Sequence, residues 1–102
     1  MNGLNEVIHQ AMRLKIMAAL NVLGPDSALE FTRLKTLVSA TDGNLGAHLD
    51  TLEKAGYVAI EKRFVGKKPQ TRVKPTPAGR RAFAEHVAYL REILDAGAPP
   101  PG

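Results

Sequence analysis

The chain lacks several residues on which whole classes of protein depend. Its 102 residues include no cysteine and no tryptophan, and aromatic residues make up only 5%. Without cysteine, a disulfide framework, a thiolate metal site and a cysteine nucleophile are all excluded. The longest strictly apolar run is 16–20, whereas a membrane-spanning helix needs about 20 such residues. No basic region followed by an apolar stretch opens the chain, so we expect a cytoplasmic protein with no signal peptide and no membrane partner.

The motifs by which enzymes and metalloproteins are recognised are also missing. Neither serine lies in a nucleophile motif, and the three histidines, His9, His48 and His86, fall on three different predicted helices. A zinc site needs three or four ligands, usually anchored by closely spaced pairs. The glycines of 43–46 lack the Lys-Ser/Thr that follows a nucleotide phosphate loop. We therefore expect no enzymatic activity, no cofactor and no metal site.

What the chain does have is an uneven distribution of charge. Hydrophobic residues make up 44% and charged residues 24%, which is typical of one soluble globular domain. The formal net charge is +4, and 61–81 contains eight basic side chains against the single acid Glu61. Such an excess can attract a polyanion and neutralise phosphates on contact. The alternative is a solvated surface that serves only solubility.

The first half of the chain has helical periodicity. Apolar residues recur at spacings of four and three over 5–23, which predicts one helix, or two helices broken near 9–12. After a break at Gly24-Pro25 and a short extended segment, 28–30, a helix is predicted over 31–38 with Leu34, Leu37 and Val38 inside. A turn, 39–41, leads to a further helix over 42–55, which Thr41 caps and Gly56 ends. Two short helices joined in this way form a helix-turn-helix.

The second half begins with the alternating pattern of strands. Strands are predicted over 57–64 and 70–74, with a basic loop, 65–69, between them. Thr76-Pro77 then begins a last helix that we expect to end near Asp95. Residues 97–102 are predicted to be a flexible, Pro- and Gly-rich tail. The expected fold class is mainly α with a small β-hairpin.

The last helix has two apolar stripes. One stripe has coiled-coil-like spacing, and its members are Phe83, Val87, Leu90 and Leu94. The adjacent stripe contains Ala82, His86, Tyr89 and Ile93. A domain of this size can cover one stripe with its own core, so we expect the other to bind a second copy in a homodimer. The alternative is that both stripes wrap one core.

The order of these elements resembles the winged helix-turn-helix transcriptional regulators, the group that includes the MarR and ArsR types. The resemblance is carried by 41–58, with its His-Leu-x-x-Leu-Glu-x-Ala-Gly-Tyr-Val ending, and by Thr76-Pro-Ala-Gly79. It covers about 4–95. It implies one winged-helix domain over 1–96 with its dimerisation helix at 77–95. It further implies a dimer whose third helix enters the major groove of double-stranded DNA, and whose wing follows the adjacent backbone.

Carried over to this sequence, the resemblance predicts the DNA-binding residues. Those of the third helix and its cap are Thr41, Asn44, Gly46, Ala47 and His48, and those of the wing are Arg63, Lys67, Lys68 and Arg72. An amide such as that of Asn44 can pair with adenine. Asp42 and Asp50 also lie on the outward face, where carboxylates would meet phosphate repulsion.

Several roles remain open at this level. Asn44 could serve the helix cap rather than a base, His48 could be a partly buried structural histidine, and Gly46 could be a packing glycine. A small-molecule effector could bind between the last and first helices, although no residue marks its identity. We expect a sequence-specific transcriptional regulator, and the alternative is a winged-helix module that binds a protein partner instead of DNA.

Overall fold

The computed structural model describes residues 4–24 and 27–97. The elements are α1 (Glu6–His9), α2 (Ala11–Asn21), β1 (Leu29–Glu30), α3 (Phe31–Val38), α4 (Asp42–Lys54), β2 (Val58–Val65), β3 (Lys68–Pro75) and α5 (Pro77–Gly97). The three strands form one antiparallel sheet in the order β1-β3-β2. The predicted class, mainly helical with a small hairpin, is confirmed, and the extended segment near 28–30 adds the third strand.

The first predicted helix is in fact two helices. Gln10 breaks it by adopting an extended backbone, with φ −61° and ψ 132°. Each helix has its own N-cap: the side-chain oxygen of Asn5 accepts from the Ile8 amide at 3.1 Å, and that of Gln10 accepts from the Arg13 amide at 2.9 Å. These caps satisfy backbone donors that a helix start leaves free. Of the two alternatives, the broken helix is confirmed.

The helix-turn-helix has the predicted bounds to within a residue. α3 ends at Ser39, whose left-handed backbone (φ 56°) turns the chain, and Thr41 Oγ1 caps α4 by accepting from the Asn44 amide at 3.1 Å. The prediction that Leu37 lies inside was wrong, because this side chain is 53% exposed. Leu34 and Val38, one helical turn apart, fill the core instead, and Leu37 is rotated to the edge of that face.

The core lies between the helices and one face of the sheet. Its buried apolar side chains are Ile8, Ile16, Met17, Leu20, Leu34, Val38, Leu45, Leu49, Leu52, Val58, Val73 and Ala82. Leucines 45, 49 and 52 come from α4, at the spacing that places one face of a helix inward. Their burial fixes which face of α4 remains outside.

The hairpin is longer and its turn is tighter than expected. Val65 pairs with Lys68, so only Gly66 and Lys67 form the turn, and the prediction of a loop over 65–69 was wrong. Gly66 has a φ of +65°, which glycine adopts without steric cost and which a two-residue hairpin turn requires. Lys68 and Pro69 therefore belong to β3. Proline is tolerated there because β1 pairs with β3 only at residues 72 and 73.

The start of α5 is tightly joined to the start of β2. The Thr76 hydroxyl donates to the Gly56 carbonyl at 2.6 Å and accepts from the Gly79 amide at 2.9 Å. Gly79 is buried, and a Cβ at this position would lie only 2.0 Å from the Tyr57 carbonyl oxygen. The Thr-Pro-x-Gly sequence therefore works as one joint, in which threonine caps the helix and glycine permits close approach.

α5 is only partly covered by the rest of the chain. Gly79, Ala82 and His86 face inward and are buried, whereas Ile93 is 49% and Leu94 71% exposed. The alternative in which both stripes wrap one core is therefore wrong for the last turns of the helix. The helix includes Gly97, which we had assigned to the tail, and 98–102 lie outside the described residues. No helix among the described residues is long and apolar enough to cross a membrane.

Candidate nucleic-acid interface

The outward face of α4 presents small and amide side chains. Asn44, Gly46 and Ala47 are all exposed. The amide nitrogen of the Asn44 backbone belongs to the Thr41 cap, but its side chain has no hydrogen-bond partner among the described residues. Asn44 can therefore serve the cap through its backbone amide and still use its side chain to contact a base, since the two interactions involve different atoms. Thr41 is itself exposed, and its hydroxyl hydrogen is not used by the cap.

Gly46 is not a packing glycine within this chain. A Cβ built at this position meets nothing within 4 Å, so no described side chain or strand requires its absence. Glycine inside a helix costs about 1 kcal/mol relative to alanine, and here nothing inside the fold offsets that cost. The residue lines an open cleft of about 450 Å³ between α4 and β2, beside Asp50, Ile60 and Lys62.

Two of the three carboxylates of α4, those of Asp42 and Asp50, are paired, whereas Glu53 is exposed and has no ion-pair partner among the described residues. Asp42 Oδ1 lies 2.8 Å from Lys35 Nζ, and Asp50 Oδ2 lies 2.9 Å from Lys54 Nζ. The hydrogen bond to Asp50, and then its negative charge, raise the pKa of Lys54. Exposed ion pairs add little to stability, but each cancels a negative charge on the exposed side of the helix-turn-helix.

His48 is half-buried and touches α2 rather than standing free. Its Nδ1 lies 3.2 Å from Arg13 Nη1. Because a guanidinium can only donate, Nδ1 is the acceptor, and the hydrogen of the neutral ring is on Nε2. Arg13 also donates to the Val7 carbonyl, which holds it beside the break between α1 and α2. Sequence reasoning missed Arg13, since nothing in the local pattern links it to a helix 35 residues away.

The register of the hairpin sorts its cations by face. Arg63, Lys68 and Arg72 lie on one face, because Arg63 is opposite Gln70 and the pairs Val65–Lys68 and Glu61–Arg72 lie two residues to either side. Arg63 Nε donates to Gln70 Oε1 on the neighbouring strand at 2.9 Å, which holds its guanidinium against β3. Lys62 is on the opposite face, towards α4.

The hairpin therefore carries all four predicted wing cations, with Arg72 further from the turn than the other three. Arg63, Lys67 and Lys68 are exposed and Arg72 is half-buried. Arg80, at the start of α5, donates to the Gly24 carbonyl at 2.8 Å and ties α5 to the end of α2.

Two histidines that are 77 residues apart meet on the other side of the core. His86 Nε2 lies 3.4 Å from His9 Nδ1, and His86 Nδ1 accepts from the Asn5 amide at 3.4 Å. The ring of His86 is therefore neutral with its hydrogen on Nε2. Burial, and then the neighbouring His9, lower the pKa of His86. The described residues contain no group of three or more ligands that could hold a metal ion here or elsewhere.

An open apolar groove follows the uncovered side of α5. It has a volume of about 470 Å³ and is lined by Phe83 and Val87, with Arg80 and Arg91 at its polar margin and Asn21 of α2 opposite. Phe83, Val87 and Leu90 are half-buried and Leu94 is exposed. The groove lies where we expected either a partner copy or an effector.

A comparison with protein families identifies the class to which this fold, with its exposed basic hairpin, belongs. Residues 12–94 match the family model described as "Winged helix DNA-binding domain". Because the match covers most of the chain, the chain belongs to this family. The resemblance to the MarR and ArsR regulators is confirmed at the level of the fold, which the chain shares with a solved MarR family regulator and with a solved protein described as a possible ArsR-family regulator.

Particular relatives support the same assignment. The chain is 37% identical to "Uncharacterized protein MJ0432" of Methanocaldococcus jannaschii over 87% of this chain and 90% of that one. It is 26% identical to the "transcriptional regulator homologue protein" of Pyrococcus horikoshii, with a TM-score of 0.80 over 90% and 88% of the two chains. A homodimeric winged helix-turn-helix domain, Mb0332 of Mycobacterium bovis, shares the fold at 18% identity and a TM-score of 0.67, over 94% and 82% of the chains.

Proposed function

We propose that the protein is a sequence-specific, DNA-binding regulator of transcription that acts as a dimer. One observation carries this proposal: the exposed face of α4, on which Asp42 and Asp50 are paired with lysines, lies in the same fold as a basic hairpin that extends beyond the core. α4 is narrow enough on this side, with glycine and alanine outermost, for its backbone to approach a base-pair edge. The hairpin supplies positive charge for the adjacent phosphates.

The predicted DNA-binding residues of α4 and its cap have distinct roles in this arrangement. Asn44 would pair with an adenine through its amide. Gly46 and Ala47 would allow α4 to lie deep in the major groove, and this use accounts for a glycine that the fold itself does not need. His48 would donate its Nε2 hydrogen to a phosphate while Arg13 holds the ring. The Thr41 hydroxyl would contact a phosphate at the start of the helix.

The hairpin supplies most of the affinity in this proposal. Arg63, Lys68 and Arg72 share a face, and Lys67 adds its charge at the turn. Each neutralised phosphate releases counterions, so the logarithm of the binding constant should fall by about 0.9 per contact for each unit of log salt. Steep salt dependence is therefore expected.

Dimerisation would place two such units on one operator. The partner would cover the stripe formed by Phe83, Val87, Leu90 and Leu94, which the chain's own core covers only in part. One domain over 1–96, with 77–95 as the dimerisation helix, is the corresponding organisation. Support comes from the homodimeric Mb0332 domain, which has the same fold. An effector in the α5 groove would be consistent with NadR, another protein of this fold, whose structure is a complex with 4-hydroxyphenylacetate.

Salt titrations of hairpin variants test the proposal. Binding of the protein to duplex DNA is measured by fluorescence anisotropy at several salt concentrations. The double variant K67A/K68A should bind more weakly, with a slope smaller by about 1.8. K15A, which removes an exposed lysine of α2, is the matched control and should retain the slope. An unchanged slope in K67A/K68A would show that the hairpin tip does not contact phosphates.

Selection of bound sequences from a random duplex pool tests the role of α4. The wild type should enrich one motif, and N44A should relax the preference at one base pair, at a cost of about 1–3 kcal/mol for that pair. Enrichment of no motif, together with weak binding at low salt, would favour the protein-interaction alternative. The small side chains of Gly43, Gly46 and Ala47 are the feature that suits such close helix packing.

A further inference from the structure

The tip of the hairpin carries exposed apolar side chains among its cations. Phe64 is 73% and Val65 51% exposed, and the turn residues Gly66 and Lys67 follow them. A single exposed hydrophobic residue is common on proteins. Here, however, an aromatic ring stands two residues before the turn, beside Val65 and among exposed cations. Phe64 is also absent from the side chains that pack against the core.

The register shows which way the ring is displayed. Phe64 lies opposite Pro69, and the pairs Lys62–Thr71 and Ile60–Val73 follow on the same face. Side chains directly opposite each other on antiparallel strands have Cβ atoms about 5 Å apart. Pro69 therefore supports the ring from the neighbouring strand, and Lys62 places a positive charge next to it on the same face.

The hairpin is long enough to carry this ring well beyond the core. Ile60 is the last residue of β2 that packs against the core, and 61–69 are all exposed. At about 3.3 Å per residue, the end of β2 lies roughly 16 Å beyond Ile60. A two-stranded ribbon is wider than the minor groove of B-DNA, which is about 6 Å across. Only side chains of the tip could enter that groove.

We propose that Phe64 is a wedge that inserts between adjacent base pairs from the minor groove and bends the DNA. The inference rests on the proposed function, because it needs the hairpin to lie on duplex DNA. Proteins that insert apolar side chains in this way partly unstack a base step and kink the duplex by about 20–90°. Lys62 and Lys67, on either side of the ring, would neutralise the phosphates that the bend brings closer.

The positive charges beside Phe64 favour DNA, rather than an apolar protein surface, as the partner that the hairpin tip contacts. An apolar surface would have to desolvate the neighbouring ammonium groups without pairing them, which is costly. Phosphates on both sides of a minor groove pair with those groups, and stacking of an aromatic side chain on a base is favourable for every base. Pyrimidine–purine steps unstack most easily, so the wedge also predicts a preference at a step that α4 does not touch.

Bending measured together with affinity tests the wedge. A duplex of about 30 base pairs with a central TA step carries a fluorescence donor and acceptor at its ends. F64T keeps the strand preference of a β-branched residue but removes the ring. F64L keeps an apolar wedge, and V22T is the matched control because Val22 is 82% exposed on the distant end of α2. Circular dichroism confirms that each variant is folded.

The wild type, F64L and V22T should raise energy transfer on binding, whereas F64T should bind without raising it. F64T should also bind roughly ten-fold more weakly with an unchanged salt slope, since no charge is lost. Equal bending by F64T and the wild type, or binding by the wild type without any bending, would overturn the wedge and leave the proposed function standing. Failure of the wild type to bind duplex DNA at low salt would overturn both.

Discussion

Replacement of Gly79 by alanine should destabilise the protein, although alanine is the better helix former. The new Cβ would lie 2.0 Å from the Tyr57 carbonyl oxygen, whereas ordinary contact begins near 3.4 Å. The two atoms must therefore move apart by about 1.4 Å. The neighbouring atoms are backbone and cannot rotate away. The start of α5 must therefore move from β2, which weakens the bonds between the Thr76 hydroxyl, the Gly79 amide and the Gly56 carbonyl.

The magnitude follows from three contributions. Overpacking costs about 1–3 kcal/mol, weakening of two hydrogen bonds costs about 0.5–1.5 kcal/mol each, and the helix preference of alanine returns about 1 kcal/mol. The net loss is about 3 kcal/mol, which lowers Tm by roughly 12–24 °C in a domain of this size. Thermal and urea unfolding followed by circular dichroism at 222 nm measure both quantities.

Gly46→Ala is the matched control, because it makes the same change in a helix where the Cβ meets nothing within 4 Å. It should raise the free energy of unfolding by about 1 kcal/mol. If G79A unfolded at or above the wild-type temperature, the close approach of α5 to Tyr57 would not exist, and our explanation of the Thr-Pro-x-Gly sequence would be wrong.

Three further predictions concern stability and charge. Because burial lowers the pKa of His86, the unfolded chain binds its proton more tightly than the folded protein; stability should therefore be full above the ordinary histidine pKa of 6.5 and fall as the pH drops below it. H86Q should make the free energy of unfolding, measured in urea at a series of pH values, depend less on pH. An unchanged pH dependence would exclude His86 as its source. T41A should cost about 1 kcal/mol by removing the cap of α4. T51A, which removes a hydroxyl bonded to the preceding turn, should cost less, and equal losses would contradict the cap. D50N should tighten binding to random DNA several-fold by removing a negative charge and freeing Lys54, and unchanged binding would place Asp50 away from the phosphates.

Local patterns were sufficient to predict the helix-turn-helix. The bounds of α3 and α4 depend on caps and on glycine positions that act within a few residues, and Thr41 and Gly56 were identified correctly for that reason. The turn of the hairpin was misplaced because Lys67, Lys68 and Pro69 all favour a loop by composition. The conformation of Gly66 nevertheless closes the turn after two residues. Leu37 was misplaced because hydrophobicity alone does not show which edge of a short helix is covered.

Contacts between distant parts of the chain could not be predicted. The pairing of His9 with His86 and of Arg13 with His48 depends on how α1 and α2 cross α5 and α4, and no sequence spacing records that crossing. The ion pair between Lys35 and Asp42 joins two helices across the turn. It resolves a difficulty that the sequence alone presented, since an acid at the start of α4 had seemed unfavourable near phosphates.

The most direct test of the whole account is the affinity of the wild-type protein for a random duplex between about 50 and 200 mM salt. We predict tight binding at the low end that collapses over this range, since in the proposed function each protomer contacts several phosphates. Binding too weak to detect even at the lowest salt concentration would contradict the account, and would direct attention to protein partners of α4 and the hairpin.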